Sequence, residues 1–400
     1  MLVSKKILCE VCSEILPEPQ LSLGDHPLPD DLIPVDMKLN CETHPIDVSL
    51  CQVCLTASQI HSVDKKLLFP STYHYRARFT SDVVRGMDDL AENVCNALQS
   101  TKGEGYVLDI GCNDGSLLNF FHDRGWKTVG VEPTDAANDV DHKKHKIFKK
   151  YFDLDMAKIL KANFGSPRII TFTNVFAHIE NLQKLISALS FLINDHTLIV
   201  IENHYLGSIL SGGQFDTFYH EHPRTYSAKS FDYIAKDLGK KVISRIFPKR
   251  YGGNIRIWIA DKNMFAGSFP MDEAKEESFY EDFTKIPRQI DAWLHEKSKE
   301  IRQIVSQFGP IPAKAFPARG AILVKLLALD TSSISAVYER SGSMKIGHYV
   351  PGTRIQIRDE IELFGSENQK PVLNIAWHIK EEIHSYLNLH MKNVRIIDIK

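Results

Sequence analysis

The chain has 400 residues, with 48 Lys and Arg against 50 Asp and Glu, 43% hydrophobic residues and a formal net charge of −2 at pH 7. At roughly 150 residues per domain this length allows two or three domains, and the balanced charge lacks the basic surplus of a nucleic-acid binder. No apolar run approaches the roughly 20 residues that span a bilayer, and Met1 to Lys6 is followed by Cys9 and Glu10 rather than an apolar leader core, so a cytoplasmic protein with no membrane contact is expected.

Residues 1–75 are rich in Cys and Pro, with short strands and little helical periodicity, and are expected to form a small domain of their own. Residues 76–265 alternate helical and strand-like stretches. A helical window from Ser81 to Gln99 leads into the apolar strand Tyr106 to Ile110, and further strands are expected at Thr128 to Val131, Arg168 to Phe172 and Thr197 to Ile201, with an amphipathic helix around Leu182 to Leu192. Apolar strands alternating with helices imply an α/β domain with a mostly parallel sheet covered on both faces. Residues 266–400 open with a charged helical stretch, Met271 to Gln307, which Gly309-Pro310 and Pro312 end. The alternation then resumes with strands at Lys314 to Phe316, Ile334 to Tyr338, Val372 to Trp377 and Val394 to Ile399 and a helix from Ala321 to Leu329, so a second, smaller Rossmann-like α/β unit is expected.

Seven cysteines in such a chain point to metal or reduced thiols rather than a disulfide framework. Cys9-x-x-Cys12 and Cys51-x-x-Cys54 are two knuckle pairs. Each pair puts two thiolates on one tight turn, and two such turns complete a closed tetrahedral site, so a structural Zn²⁺ is expected, with unliganded buried thiols as the alternative.

The strand at Tyr106 runs into Asp109-Ile110-Gly111-Cys112-Asn113-Asp114-Gly115, and a helix opens at Ser116. Glycines there permit a tight turn and close approach of a ligand to the backbone. The turn lacks the spacing of a dinucleotide fingerprint, and the chain has no Walker motif. Glu132-Pro133 ends the next strand, about twenty residues on, where an acid can accept both hydroxyls of a ribose. This combination describes a nucleoside site without a phosphate cradle and favours S-adenosylmethionine over NAD. Gly111, Asn113, Asp114, Gly115, Glu132 and Pro133 are the residues expected to bind it.

The run Phe215 to His222 contains Tyr219-His220-Glu221-His222, four polar side chains poorly suited to a core, beyond the strand that ends at Ile201. His178, in Asn174-Val175-Phe176-Ala177-His178-Ile179, also follows a strand and is placed to face the same cleft.

These segments in this order resemble the nucleotide-sugar C-methyltransferases that build branched-chain deoxysugars, and the resemblance covers nearly the whole chain. It takes in both Cys-x-x-Cys pairs, Tyr73-His74-Tyr75, the glycine turn and Asn174 to Ile179. It continues through Gln214 to His222, Tyr251-Gly252-Gly253-Asn254-Ile255-Arg256, Lys345 to Thr353 and Trp377. It implies a class I S-adenosylmethionine-dependent methyltransferase core between a zinc domain and a sugar-nucleotide-binding domain, with Asn174 and Val175 beside the cofactor. The substrate it implies is a nucleoside-diphosphate 4-keto-deoxysugar. His222 removes the proton on C3, and the enolate carbon takes the methyl group. By the same resemblance Glu221 orients the base or holds a sugar hydroxyl, while Tyr219, His178 and a tyrosine of the 73–75 segment, Tyr75 in preference to Tyr73, hydrogen-bond the enolate oxygen. Two departures stand out: Tyr251 where the family tends to have His, and Arg319 where it tends to have Lys, a position expected to meet the substrate's diphosphate. Methyl transfer to oxygen or nitrogen of a small molecule, and a non-catalytic binding protein, are the alternatives. A monomer is expected, since three domains can bury their own cores.

Overall fold

The structure, a computed structural model, describes residues 6–73, 75–98, 104–250, 252–261, 263–265, 268–365 and 370–400. Residues Met1 to Lys5 of the leader expectation, His74, the expected helix end at Gln99, and Tyr251 lie outside the described residues. Among the described residues the strands are β1 (Leu21–Pro27), β2 (Thr43–Leu50), β3 (Ala57–Gln59), β4 (Tyr106–Ile110), β5 (Lys127–Val131), β6 (Lys146–Phe148), β7 (Ile169–Thr173), β8 (Leu198–His204), β9 (Arg224–Thr225), β10 (Lys241–Ile246), β11 (Asn254–Ala260), β12 (Ile311–Lys314), β13 (Ile334–Glu339), β14 (Ile357–Asp359), β15 (Val372–Asn374) and β16 (Ile396–Asp398). They form three sheets, ordered β1-β2-β3-β9, β10-β11-β8-β7-β4-β5-β6 and β14-β13-β12-β15-β16.

The central sheet follows from its sequence. β4 is buried along its whole length, as a strand covered on both faces must be. Alternation by two sorts its side chains. Val107, Ile169, Leu198 and Val200 meet the helix Ser81–Ala97, whose Val83, Met87, Leu90, Ala91 and Val94 make one buried stripe. Leu108, Ile170, Ile199 and Ile201 face the other way, onto the core that contains Leu160 of the helix Leu154–Phe164 and Leu185 and Leu189 of the helix Leu182–Leu192. β4 to β8 pair in parallel, and β11 runs antiparallel to β8 and to β10 at the far edge. The strand order reverses between β4 and β7, and beyond the carboxyl ends of such strands an open α/β sheet holds its ligands.

Three elements differ from the sequence expectation. The β10–β11 hairpin extends the sheet beyond the strands that periodicity marks. The long helix spans Phe279–Phe308, not Met271 onward, because Met271 and Asp272 are taken up in pairing with Arg245 of β10. β12 lies at Ile311–Lys314 and so contains Pro312. Proline has no N–H to donate, and the pairing with β13 shifts register between Ile311 and Ala313.

The N-terminal sheet is not closed by N-terminal residues alone: its last strand, β9, comes from the segment just after His222. The C-terminal sheet is parallel throughout. It is tied to the central segment by Asp216, which is fully buried and accepts from Arg319 Nε at 2.8 Å, Arg319 Nη2 at 2.9 Å and Trp377 Nε1 at 2.8 Å. No described helix is long and apolar enough to cross a membrane.

Candidate active site

Four strand ends build the floor of one cavity of about 680 Å³. Gly111 follows β4, Glu132 follows β5, Asn174 follows β7, and His204 is the last residue of β8. Gly111 has φ 74°, and a Cβ there would stand 2.6 Å from Val175 Cγ2, so only glycine keeps this turn open. Glu132 Oε2 accepts the Asn113 N–H at 3.1 Å, and Oε1 accepts Thr134 N–H at 2.9 Å and the Thr134 hydroxyl at 2.7 Å. The carboxylate is thereby fixed at the cavity wall, with about one lone-pair site, on Oε2, left for a ligand. Asn113 spans the turn, donating Nδ2 to the Tyr75 carbonyl at 3.1 Å and accepting Ala77 N–H at 3.0 Å.

Of the eight expected cofactor residues, Gly111, Asn113, Glu132, Pro133, Asn174 and Val175 line the cavity. Asp114 and Gly115 shape the turn instead: Asp114 Oδ1 accepts the Ser116 N–H and hydroxyl at 3.2 and 2.6 Å, and Gly115, at φ 77°, precedes the helix Ser116–Asp123. Asn174 Oδ1 is buried with no hydrogen-bond partner among the described residues. An acceptor carboxylate, an unpaired amide oxygen and a turn that a methyl group would fill suit S-adenosylmethionine.

The same cavity is lined by Tyr73, His178, Tyr219, Glu221 and His222. His222 donates Nδ1–H to the Thr217 carbonyl at 2.9 Å, since a carbonyl can only accept, and this leaves the Nε2 lone pair available. Burial first, then the neighbouring His178 and His204, lowers its pKa well below the usual histidine range, so the ring is neutral at pH 7. Its ring centroid lies 4.3 Å from that of Tyr219, 4.9 Å from His178 and 5.6 Å from His204. His178 likewise donates Nδ1–H to the Glu221 carbonyl at 2.8 Å, and burial lowers its pKa to about 4. In that tautomer His178 accepts hydrogen bonds from a ligand rather than giving them.

Glu221 is the reverse case. Burial, with the Asp30 carboxylate behind it, raises its pKa to about 8. The Tyr73 hydroxyl reaches its Oε2 at 3.1 Å, and Oε1 is buried without a partner among the described residues. Tyr73 is thus the tyrosine of its segment that meets the Glu221 carboxyl. Tyr75 also lines the cavity but is 38% exposed.

The cavity includes residues that sequence patterns did not assign to a site: His204, His378 and Asp30, and also Lys345, which lies in a matched segment but had no role assigned. His204 had a usable signal, its place at a strand's carboxyl end. The other three arrive from the outer sheets, and no local pattern gives them a role. Arg319, expected at the substrate's diphosphate, is instead spent on Asp216 and Gln214.

Cys9, Cys12, Cys51 and Cys54 converge, with their sulfurs all within 4.8 Å of one another. Cys9–Cys54 and Cys12–Cys51 stand 3.5 and 3.4 Å apart. That is too long for a disulfide of about 2.05 Å and close to the edge of about 3.8 Å of a tetrahedron with metal–sulfur bonds of about 2.3 Å. The two turns match: Ser13 and Leu55, each directly after its knuckle, have φ 63° and 56°. Their N–H groups return to the carbonyls of Cys9 and Cys51 at 2.9 and 3.0 Å. The donor set and its size fit a closed four-thiolate metal site.

Sequence comparison agrees with this layout. Residues 83–245 match the family described as Methyltransferase domain, and residues 250–397 match the C-methyltransferase C-terminal domain. The C-methyltransferase NovU of Streptomyces niveus is 24% identical over 388 residues, covering 94% of this chain and 90% of its own. Among solved structures, the magnesium protoporphyrin IX methyltransferase ChlM of Synechocystis with bound SAH aligns at 13% identity over 45% of this chain and 84% of its own, TM-score 0.35. The plantazolicin methyltransferase BpumL aligns at 14% identity over 46% and 87%, TM-score 0.36. The fold and the domain families define an S-adenosylmethionine-dependent methyltransferase with a class I Rossmann-like core. More narrowly, the chain follows this core with a C-methyltransferase C-terminal domain and is similar over most of its length to a C-methyltransferase.

Proposed function

We propose that the enzyme methylates C3 of a nucleoside-diphosphate 4-keto-deoxysugar through an enolate made by His222. The observation that carries this reading is a neutral imidazole with its Nδ1 proton committed to Thr217, in the same cavity as the Gly111–Glu132 cofactor turn.

A ketone at C4 acidifies the C3 hydrogen. His222 Nε2 takes that proton, the C3–H electron pair becomes the C3=C4 bond of the enolate, and negative charge develops on the C4 oxygen. Glu221, held protonated by burial up to about pH 8, can donate a hydrogen bond to that oxygen, as a neutral buried carboxyl does better than water. Tyr219 and Tyr73 line the same cavity, and His178 accepts a sugar hydroxyl. When bound, S-adenosylmethionine supplies an electrophilic methyl group. Glu132 would hold one of its ribose hydroxyls, with Asn113, Pro133, Asn174 and Val175 around it. The outer sheets would enclose the sugar nucleotide, Asp30 from one side and Lys345 and His378 from the other. A Zn²⁺ on the four cysteines would be structural, since four thiolates leave no open coordination position. We assign residues 1–75, 76–265 and 266–400 to the zinc, methyltransferase and sugar-nucleotide-binding domains.

The test is deuterium exchange. With S-adenosylhomocysteine and a panel of nucleotide 4-keto-6-deoxysugars in D₂O, the wild type should place deuterium at C3 of the accepted sugar, read by mass spectrometry. His222→Gln should lower the exchange rate by about 10³-fold while S-adenosylhomocysteine affinity holds. A methylated product that keeps its C3 hydrogen and carries the methyl on oxygen would overturn the reading.

A further inference from the structure

The four-cysteine module touches the catalytic histidines at second hand, by two routes. From the second knuckle the chain runs through β3 to Gln59, which is 2% exposed. Its Nε2 donates to the Tyr219 carbonyl at 2.6 Å and to the His222 carbonyl at 3.1 Å, and its N–H donates to the Pro223 carbonyl at 2.9 Å. One side-chain amide thus closes the tetrapeptide Tyr219 to His222 at both ends. Behind it, Ala57 and Ser58 pair with Thr225 and Arg224. The Cys54 carbonyl accepts the hydroxyls of Ser227 at 3.0 Å and Ser230 at 3.2 Å.

From the first knuckle, Glu10 sits between Cys9 and Cys12 and is ion-paired to Arg224, which is fully buried. Arg224 also donates to the Ile179 carbonyl and, at 3.4 Å, to the Glu180 carbonyl, the residues next after His178. Its Nε bonds the Tyr226 hydroxyl at 3.0 Å. A buried guanidinium fixed on four acceptors is a rigid link, and it ends one peptide from His178.

We infer that Gln59 and Arg224 are positioning residues, through which the four-cysteine module sets His222 and His178 against the substrate. The module's catalytic contribution is geometric: a base displaced by about 1 Å loses roughly 100-fold in rate. The inference rests on the reading of His222 as the base, but its structural half can be tested without substrate.

The experiment compares wild type with Gln59→Met, which keeps the length and loses the side-chain amide donors, and Glu10→Gln, which keeps the cysteines and removes the carboxylate charge that pairs with Arg224. Three quantities are read: metal content with S-adenosylhomocysteine affinity, amide hydrogen exchange, and kcat and KM with S-adenosylmethionine and a thymidine-diphosphate 4-keto-6-deoxyhexose. Gln59→Met should lower kcat by roughly 30-fold, with metal content unchanged and both S-adenosylhomocysteine affinity and the KM for S-adenosylmethionine within about twofold. Its amides at 219–224 should exchange faster, and those of β4 should not. Glu10→Gln should have the same kind of effect at 178–182. Unaltered exchange at these segments, or a kcat loss matched by an equal loss of S-adenosylhomocysteine affinity and thermal stability, would overturn the inference. If Gln59→Met does not fold, Glu10→Gln decides. A wild type inert towards the sugar would count against the proposed reaction, and the exchange data would still decide this inference.

Discussion

The two ends of the cavity are held in different ways. At the cofactor end Glu132 is fixed by Asn113 and Thr134, partners no more than 19 residues away, and the turn is completed by its own glycines. At the catalytic end the segment 214–227 is gripped from both sides by distant chain: Gln59 and Cys54 on one side, 160 or more residues away, and Arg319 and Trp377 on the other, more than 100 residues away. The two grips are chemically unlike. The N-terminal side binds the main-chain carbonyls of Tyr219, His222 and Pro223 and the Ser227 hydroxyl, while the C-terminal side binds the side chains of Asp216 and Gln214. The cofactor end therefore rests on the central sheet, with the 75–78 segment tied to its turn through Asn113 and Asp114, and the His222 end depends on docking of all three sheets. Damage to docking should cost catalysis before it costs cofactor binding.

Asp216→Asn breaks that comparison with the largest expected effect. It leaves the Arg319 guanidinium, 4% exposed, without its carboxylate. Removing one partner of a buried pair costs about 3–5 kcal/mol. Because the carbonyl of Thr217, the next residue, accepts the His222 Nδ1–H hydrogen bond, kcat should fall by roughly 100-fold together with a lower melting temperature, and S-adenosylhomocysteine affinity should stay within about twofold. Calorimetric titration beside a thermal melt checks this, and an equal loss of affinity would show that the ends are not independent. Gly111→Ala is the converse. Its Cβ meets Val175 in a left-handed turn, so S-adenosylhomocysteine affinity should weaken by about tenfold, equal to about 1.4 kcal/mol, while amide exchange at 219–224 stays as in wild type.

The same contrast decides what could be read from the sequence. The glycine turn, Glu132 and the buried strands were legible because each is a local pattern: a turn that needs positive φ, a strand-ending acid, an unbroken apolar run. The two Cys-x-x-Cys pairs were legible for the same reason. The choice of Tyr75 over Tyr73 had no such support, because both sit in one short segment and only the position of Glu221, 148 residues from Tyr73, separates them. The sequence places Arg319 at the diphosphate, since it cannot show that Asp216 uses the guanidinium up. Met271 looked helical because its neighbours are, until pairing with β10 claims it. β9 belongs to the sheet of a different segment, and a two-residue strand carries no periodicity.

The smallest expected effect sharpens the chemistry at the docked end. Glu221 has its folded pKa raised to about 8 by burial and by Asp30. In the unfolded chain an ordinary Glu titrates near 4.3. The folded state therefore binds the proton more tightly. Its contribution to stability is fully present below the unfolded value and is lost as pH rises from there through about 8. Glu221→Gln keeps the shape and the donor but cannot ionise. Relative to wild type its melting temperature should be unchanged at about pH 4 and below and higher by a few degrees at about pH 9, read in parallel thermal melts across that range. A difference that is the same at both ends of the range would mean that Glu221 is already ionised at neutral pH. In that case it could not give a hydrogen bond to an enolate oxygen, and that task would pass to the Tyr219 and Tyr73 hydroxyls.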